Sequence, residues 1–385
     1  MIEITQKEDC CGCNCCVQIC PIQCISMHED KEGFSYPQID IQKCINCHLC
    51  EKVCPIINQP LPQKPLKVYA AINHDREIRK QSSSGGIFTL LAEQILKEGG
   101  VVFGATFNSR WEVVHGYIES REKLSLLRGS KYVQSKINNN YQIARAFLEQ
   151  NKKVLFSGTP CQILGLKHFL KKEYPNLLTI DFICHGVPSP KVWKLYLLSL
   201  NKDLTFSHIN MRDKSKGWRN YSFHAIWQNP QQQKFEIKEV LDDNVFRLGF
   251  LKDIYLRPAC YKCAVKQLKS KSDITLGDFW KIEKFKKEMD DNNGVSLVIV
   301  NTSKGQKYSN NILIKEEIHI NDLKKLSKYL VLSPPINKKR NLFFKNLENQ
   351  EITSWIKYCS KDSKFSIFRN KIISFIIKLK IRDHK

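Results

Sequence analysis

Cysteine is the residue type in this sequence that is best able to bind metals or carry out redox chemistry, and it is concentrated at one end. Of 16 cysteines in 385 residues, 11 lie within the first 54. Two stretches share the spacing C-x2-C-x2-C-x3-C followed by proline. They are Cys10, Cys13, Cys16, Cys20 with Pro21, and Cys44, Cys47, Cys50, Cys54 with Pro55. The start of the chain is therefore a duplicated unit.

This spacing holds 4Fe–4S clusters in bacterial two-cluster ferredoxins. Three thiolates on one tight loop reach three corners of a cubic cluster, and the chain after the third cysteine turns into a short helix that leads away. The fourth ligand must then come from the other stretch. We predict a first quartet of Cys10, Cys13, Cys16 and Cys54, and a second quartet of Cys44, Cys47, Cys50 and Cys20.

Zinc sites and disulfides are the alternatives for so many thiols. Zinc ribbons also use CxxC pairs, but zinc needs only four ligands, and this repeated pattern exceeds that need. Disulfides require an oxidising compartment, and the first residues lack the basic and apolar stretches of a secretory signal. We therefore expect iron–sulfur clusters in a cytoplasmic protein.

Four further cysteines fall outside these patterns. Cys11, Cys15 and Cys24 are expected to be small apolar residues packed beside the clusters. Cys15 adjoins Cys16, however, and can replace it as a ligand. Cys359, near the other end of the sequence, is expected to be an inert thiol.

The chain is strongly basic, with a formal net charge of +23. Three clusters with their thiolates, at roughly −2 each, would lower this charge to about +17. Such a charge favours anionic partners: a phosphorylated cofactor, an acidic carrier protein, anionic lipid or nucleic acid. A lysine-rich, well-solvated surface accounts for the charge equally well.

The elements that position these thiols change character along the chain. Residues 1–57 are predicted to form a small α+β ferredoxin-like domain, with strands in CISMHED and FSYPQIDI. Residues 58–66 contain three prolines and are predicted to be a stiff linker. Residues 67–301 are expected to form an α/β body, and residues 302–385 a carboxy-terminal extension.

Apolar runs alternate with helix-period segments through the body. We predict strands at 68–72, 101–107, 113–118, 153–156 and 178–183, and helices at 87–97, 143–149 and 160–171. The strand–helix–strand order favours a parallel or mixed sheet with crossover helices. Ligands of such sheets bind at the carboxyl ends of the strands.

Cysteines follow two of these strands, at what would be one edge of the sheet. Cys161 and Cys184 lie in the loops SGTPCQ and CHGVPSP, and Cys260 and Cys263 lie farther along at chelating spacing. We predict that Cys161, Cys184, Cys260 and Cys263, the third quartet, hold a third cluster. The alternative is that Cys161 is a core residue or a helix-start nucleophile and that Cys184 is a packing residue.

Serine- and glycine-rich stretches offer a different chemistry. RKQSSSGGIF opens a helix with hydroxyl and N–H groups that suit a phosphate, and GSKYVQS is similarly polar. A capped helix and an ordinary loop explain either stretch equally well. Neither GxGxxG nor GxxxxGK[ST] is present, so the standard nucleotide-binding patterns are not supported.

Taken together, the motifs resemble one family. RKQSSSGGIF, RGSKYVQS, FSGTPCQILGL, CHGVPSP, MRDKSKGW, CYKCAV and SDITLGDFW occur in the order seen in the coenzyme F420 hydrogenase/dehydrogenase beta subunits. The resemblance runs from about residue 68 to about residue 301, behind the two-cluster module.

The resemblance implies an oxidoreductase that carries FAD beside a 4Fe–4S cluster and can pass a hydride to a deazaflavin coenzyme. It matches the third quartet to the family's cluster ligands. It matches the family's flavin contacts to Ser82, Ser83, Ser84, Gly85, Gly86, Gly129, Ser130, Lys131, Tyr132, Ser157, Gly158, Thr159 and Pro160. His185, Lys131, Lys214 and Lys216 are either contacts to an anionic substrate or ordinary structural residues.

Three function classes remain open. They are an iron–sulfur flavoenzyme with a small acceptor, an electron-transfer subunit that feeds a partner reductase, and a zinc-dependent nucleic-acid-binding protein. We expect the first and do not expect a nucleic-acid partner. The basic, apolar segment 365–382 is suited either to an anionic membrane surface or to packing on the body.

Overall fold

The computed structural model describes residues 1–240 and 243–361. In these ranges the strands are β1 Ile25–Glu29, β2 Ser35–Ile39, β3 Lys67–Ile72, β4 Val101–Phe107, β5 Val113–Ile118, β6 Val154–Ser157, β7 Leu177–Phe182, β8 Phe206–Asp213, β9 Ser222–Gln228, β10 Lys234–Val240, β11 Ile274–Asp278, β12 Ser296–Val300 and β13 Ile314–Glu317. The α-helices are α1 Cys15–Ile19, α2 Leu49–Lys52, α3 Arg76–Gln81, α4 Ile87–Lys97, α5 Asn140–Glu149, α6 Pro160–Leu170, α7 Pro190–Leu200, α8 Val245–Leu251, α9 Ser303–Ser309, α10 Leu323–Leu326, α11 Arg340–Lys345 and α12 Ile352–Ser360.

The amino-terminal module repeats one backbone unit twice, as the sequence does. In each cysteine loop two residues adopt a left-handed conformation: Gly12 and Asn14 in the first, Asn46 and His48 in the second. Glycine and asparagine tolerate this conformation best, and it gives the tight turn that several sulfurs on one loop require. Helices α1 and α2 follow, and the antiparallel hairpin β1–β2 lies between the two units.

The body is built on an eight-stranded mixed sheet in the order β13-β3-β12-β11-β7-β6-β4-β5. The neighbours β4, β6, β7 and β11 are parallel, whereas the other pairs are antiparallel. This arrangement confirms the predicted α/β body with a small iron–sulfur module ahead of it. Because antiparallel strands flank the parallel ones on both sides, the sheet is mixed, which was one of the two predicted alternatives.

The unit β6–α6–β7 lies at the centre of the sheet. Both strands are almost wholly buried and rich in Val, Leu, Ile and Phe, as expected of parallel strands covered on both faces. Helix α6 starts with a capping box, in which the Thr159 hydroxyl accepts from the Gln162 N–H and the Gln162 side chain accepts from the Thr159 N–H. Pro160 occupies the first turn, where its missing N–H costs nothing.

The segment after residue 301 continues the body. Strand β13 pairs with β3 at the edge of the sheet, and α12 packs on α7 and α8. Residues 59–65 have no regular secondary structure, yet Gln63 and Leu66 hydrogen-bond to the body. The predicted basic tail, residues 365–382, lies outside the described ranges.

A separate antiparallel sheet, in the order β10-β9-β8, packs with α7, α8 and α12 around an aromatic core. Across residues 1–240 and 243–361, no helix is both long and apolar enough to cross a membrane.

Candidate redox centre

The first quartet lines one small cavity in the module. Cys10, Cys13, Cys16 and Cys54 all face it, together with Cys11 and Cys15. Cys54 reaches this cavity because it follows α2, whereas the other three come from the loop before α1 and from α1 itself. The structure therefore brings together the four cysteines that the spacing predicts.

The second quartet lines a separate cavity with Cys24 as an additional thiol. The Cys24 Sγ lies 3.4 Å from the Cys20 Sγ, closer than simple packing requires. Cys47 is exposed, and the exposed apolar residues Ile22 and Ile45 line the same cavity. These exposed residues place one side of this cavity at the surface of the module.

The third quartet lines a cavity at the carboxyl ends of the parallel strands. Cys161 follows β6, Cys184 follows β7, and Cys260 and Cys263 lie in and just after the 3-10 helix Pro258–Lys262. Parallel pairing of β6 with β7 places the first two loops at one edge. The segment that carries Cys260 and Cys263 is joined to the loop after Cys184 by the Pro188–Leu256 bridge and by the Arg257 N–H, which donates to the Val187 carbonyl.

The thiols of the third quartet suit a cationic partner. Burial raises the pKa of Cys184 well above its usual range and raises the pKa of Cys260 to about 12. Buried thiols of this kind are neutral unless a metal or another positive charge stabilises the thiolate. Among the described residues, no three Cys, His, Asp or Glu side chains converge closely enough for a single metal ion, so the quartets are defined by the cavities they line.

Cys11 and helix α6 lie between the first and third cavities. Cys11 is buried, lines both cavities, and interacts with the thiols of Cys13 and Cys161. Helix α6 carries Cys161 in its first turn and packs against the module one turn later. A side chain at Gly165 would lie 3.2 Å from the Cys13 Sγ. The same helix therefore positions both cavities.

Arg257 also joins these two cavities, although no motif in the sequence singles it out. Its side chain is 1% exposed. The Nε donates to the Cys10 carbonyl at 2.7 Å, and the Nη2 donates to the Cys10 Sγ at 3.4 Å. Arg257 lines the third cavity as well. The only sequence signal was its position, three residues before Cys260.

The stretches matched to flavin contacts adjoin one another. Ser83 Oγ accepts from the Ser130 N–H at 2.7 Å and contacts the Ser130 Oγ at 2.9 Å. Several of their other polar groups are already engaged within the protein, because Ser82 and Ser84 donate to carbonyls and Gly85 donates to Ser296. Gly129 faces open space, with room for a bound group beside its backbone.

His115 connects the second of these stretches to the third. It is buried, its Nε2 lies 3.0 Å from the Ser157 carbonyl, and its Nδ1 lies 2.9 Å from the Ser135 Oγ. Desolvation lowers the pKa of His115 to about 4. The ring is therefore neutral, with Nε2–H donating to Ser157 and Nδ1 accepting from Ser135, which itself accepts from Gln162. Sequence reasoning did not identify this residue.

Arg212, within the motif MRDKSKGW, is a buried cation near Tyr132 in the stretches matched to flavin contacts. It is buried and pairs with Asp278 through Nη1 at 2.6 Å. Its Nε and Nη2 are buried and have no hydrogen-bond partner among the residues that the structure describes. Unsatisfied donors on a buried cation are costly, and they fit a phosphate group or another anion. Burial raises the pKa of the Tyr132 hydroxyl, and the positive charge of the same guanidinium opposes this rise.

The side chains considered for an anionic substrate differ in their surroundings. Lys214 is buried and donates to the carbonyls of Arg79, Ser84 and Asn293, so it has a structural role. His185 lines the third cavity and pairs with Asp253 at 2.5 Å. Lys131 is half-buried, and desolvation lowers its pKa to about 7. Lys216 is exposed.

Comparison with protein families agrees with this architecture. The description "Coenzyme F420 hydrogenase/dehydrogenase, beta subunit" matches through its N-terminal part at residues 68–140 and its C-terminal part at residues 151–325. Together the two parts cover more than half of the chain. A 4Fe–4S dicluster domain matches residues 9–56, which supports iron–sulfur clusters over zinc in the module.

Individual relatives are more distant. A coenzyme F420-dependent sulfite reductase from Methanocaldococcus jannaschii is 25% identical over 256 residues, which is 64% of this chain and 37% of that protein. The match thus spans about a third of the relative's length. A structure of the F420-reducing NiFe hydrogenase complex from Methanosarcina barkeri has 18% identity, a TM-score of 0.46, and coverage of 76% of this chain and 94% of that one.

Because the two matched parts follow each other through the body and the dicluster domain precedes them, this chain belongs to the coenzyme F420 hydrogenase/dehydrogenase beta-subunit family.

Proposed function

We propose that this protein is an iron–sulfur flavoprotein that passes electrons between its module and FAD, and on to a two-electron acceptor such as a deazaflavin coenzyme or another small substrate. The observation that carries this proposal is the contact of the first and third cavities at Cys11. When bound, 4Fe–4S clusters exchange single electrons, and a flavin converts them into pairs.

The residues of the chain have distinct roles in this proposal. The first and second quartets hold the two clusters of the module, and the third quartet holds a cluster in the body. Cys11 and Gly165 keep the module in contact with the body at the point where electrons cross. Arg212 and Ser83 lie where an anionic part of the flavin would bind, and His115 orders the polypeptide around Ser157.

Metal and flavin content of anaerobically purified protein tests the proposal. We expect about twelve irons and one FAD per chain. Cys184→Ser should lower the iron to about eight, because it removes one ligand of the third quartet. The matched control is Cys359→Ser, which changes a buried thiol of the body outside every quartet and should leave the iron unchanged.

Two results would count against parts of this function. About eight irons in the wild-type protein would contradict the proposed third cluster. Full iron without flavin would contradict the proposed flavin step. Zinc without iron would contradict the assignment of the module itself.

A second candidate is an electron-transfer subunit that feeds a partner reductase and has no substrate of its own. The exposed Cys47, with the exposed Ile22 and Ile45 around it, favours contact of the second quartet with another protein. Turnover of small acceptors by the isolated chain distinguishes the two. Reduction of a deazaflavin or another small acceptor supports the enzyme, and reduction of the clusters without turnover supports the subunit.

A further inference from the structure

Arg257 is a buried cation held by neutral groups. Its guanidinium donates to the Cys10 carbonyl, to the Gln134 Oε1 at 3.0 Å and to the Ser35 carbonyl at 3.0 Å. It also packs over the Tyr36 ring at 4.4 Å. Within the described parts of the chain, no carboxylate forms an ion pair with it. A buried charge without a counter-charge is strongly unfavourable, so its retention here calls for an anionic partner.

The groups around Arg257 show where that partner lies. The Nη2 is 3.4 Å from the Cys10 Sγ of the first quartet. The guanidinium charge also acts on the thiols of Cys161 and Cys260 in the third quartet, where it favours the thiolate against the larger effects that raise their pKa. A side chain at Gly12, in the first cysteine loop, would lie 2.7 Å from Nη1. Arg257 therefore lies against the first quartet and beside the third.

The backbone holds this position from both sides. The Arg257 N–H donates to the Val187 carbonyl in the loop after Cys184, and the Cys260 N–H donates to the Arg257 carbonyl. The cation is thus part of the loop that supplies half of the third quartet. No arginine or lysine is among the described residues that line the cavity of the second quartet; the cation there is the Met1 ammonium group, which pairs with Glu51.

We propose that Arg257 is a positive charge shared by the clusters of the first and third quartets, and that it raises the reduction potentials of both. The inference rests on the proposed function. Reduction adds negative charge to a cluster, and a fixed cation with a hydrogen bond to a ligand sulfur stabilises the reduced form. Arg257 is a positioning residue for electron transfer between the module and the body.

The test is a redox titration of anaerobically purified full-length protein, followed by electron paramagnetic resonance, with iron measured per chain. Arg257→Gln should shift the reduction equilibrium of the first cluster at least tenfold toward the oxidised form, which is 59 mV for one electron. Arg257→Lys keeps the charge and should shift it less than tenfold. The second cluster, identified as the signal that Cys47→Ser alters, should stay unchanged.

The matched control is the double variant Glu32→Gln/Arg340→Gln. It removes another buried arginine of the module–body interface together with its carboxylate partner and leaves the contacts of Cys10 in place. We expect no shift in this control. An equal shift in the control would overturn the proposal, as would Arg257→Gln protein with full iron and unshifted clusters.

Loss of iron in Arg257→Gln would leave the decision to Arg257→Lys. Full iron and a shift of less than tenfold in that variant support the proposal, whereas lost iron or a larger shift overturns it. Failure of the proposed function looks different, because wild-type protein would then hold about eight irons, full iron without flavin, or zinc in place of iron. In the first two cases the first cluster would still report on Arg257.

Discussion

The neutral state of His115 predicts a pH-dependent part of the stability. The folded-state pKa of about 4 lies below the value of about 6.5 in an unfolded chain. The unfolded chain therefore binds the proton more readily between about pH 6.5 and about pH 4. Stability from this residue is complete above that window and is lost as the pH falls through it.

The size of the effect follows from the two values. The full loss is about 3 kcal/mol, and the part lost between about pH 6 and about pH 5 is ~1 kcal/mol. His115→Gln removes the titration while its amide still donates to the Ser157 carbonyl. The variant should be less stable at neutral pH, but its free energy of unfolding should fall ~1 kcal/mol less across this interval.

The free energies of unfolding of the wild type and of His115→Gln are measured by denaturant unfolding of the anaerobic holoprotein at both pH values. The change with pH in one protein is then subtracted from the change in the other, so that any loss of stability in acid that both proteins share cancels. The exposed His74 offers a matched control, because His74→Gln should follow the wild-type pH dependence. If His115→Gln followed the wild type as closely, His115 would not be held neutral by burial.

Two further predictions concern the contact between module and body. Arg340→Gln should lower the free energy of unfolding by about 3 kcal/mol, because it leaves Glu32, whose side chain is only 15% exposed, without its ion-pair partner. Adding Glu32→Gln should restore most of that loss in denaturant unfolding, and additive losses would contradict the coupling. Gly165→Ala should lower the iron content, because its Cβ would lie 3.2 Å from the Cys13 Sγ. Gly116→Ala, whose Cβ meets its nearest neighbour at 3.4 Å, is the control, and equal iron in both variants would contradict this reason.

Local patterns predicted the elements around the parallel strands well. The helix at 87–97 and the strands at 101–107 and 113–118 have the predicted bounds, because their apolar periods and terminal glycines are local signals. The insertion of β12 between β3 and β11 was not predicted. Pairing between strands more than two hundred residues apart depends on tertiary packing, which a local pattern does not contain.

The same distinction holds for the candidate site. The two quartets of the module could be grouped from spacing alone, because each loop carries three of the predicted ligands within seven residues. The third quartet needed the edge of a predicted sheet. Arg257 and His115 were missed, since a single arginine in a loop and a single histidine in a strand have many structural roles, and only the groups around them distinguish these roles.

The chain positions of the quartets have a consequence for biogenesis. A growing polypeptide emerges from its amino end and folds domain by domain. All eight predicted ligands of the module are present once Cys54 has been made, but the proposed third quartet is incomplete until Cys260 and Cys263 follow Cys161 and Cys184. On the proposed assignment the module can receive its iron while translation of the body continues, whereas the third quartet can bind a cluster only after Cys263 has been made.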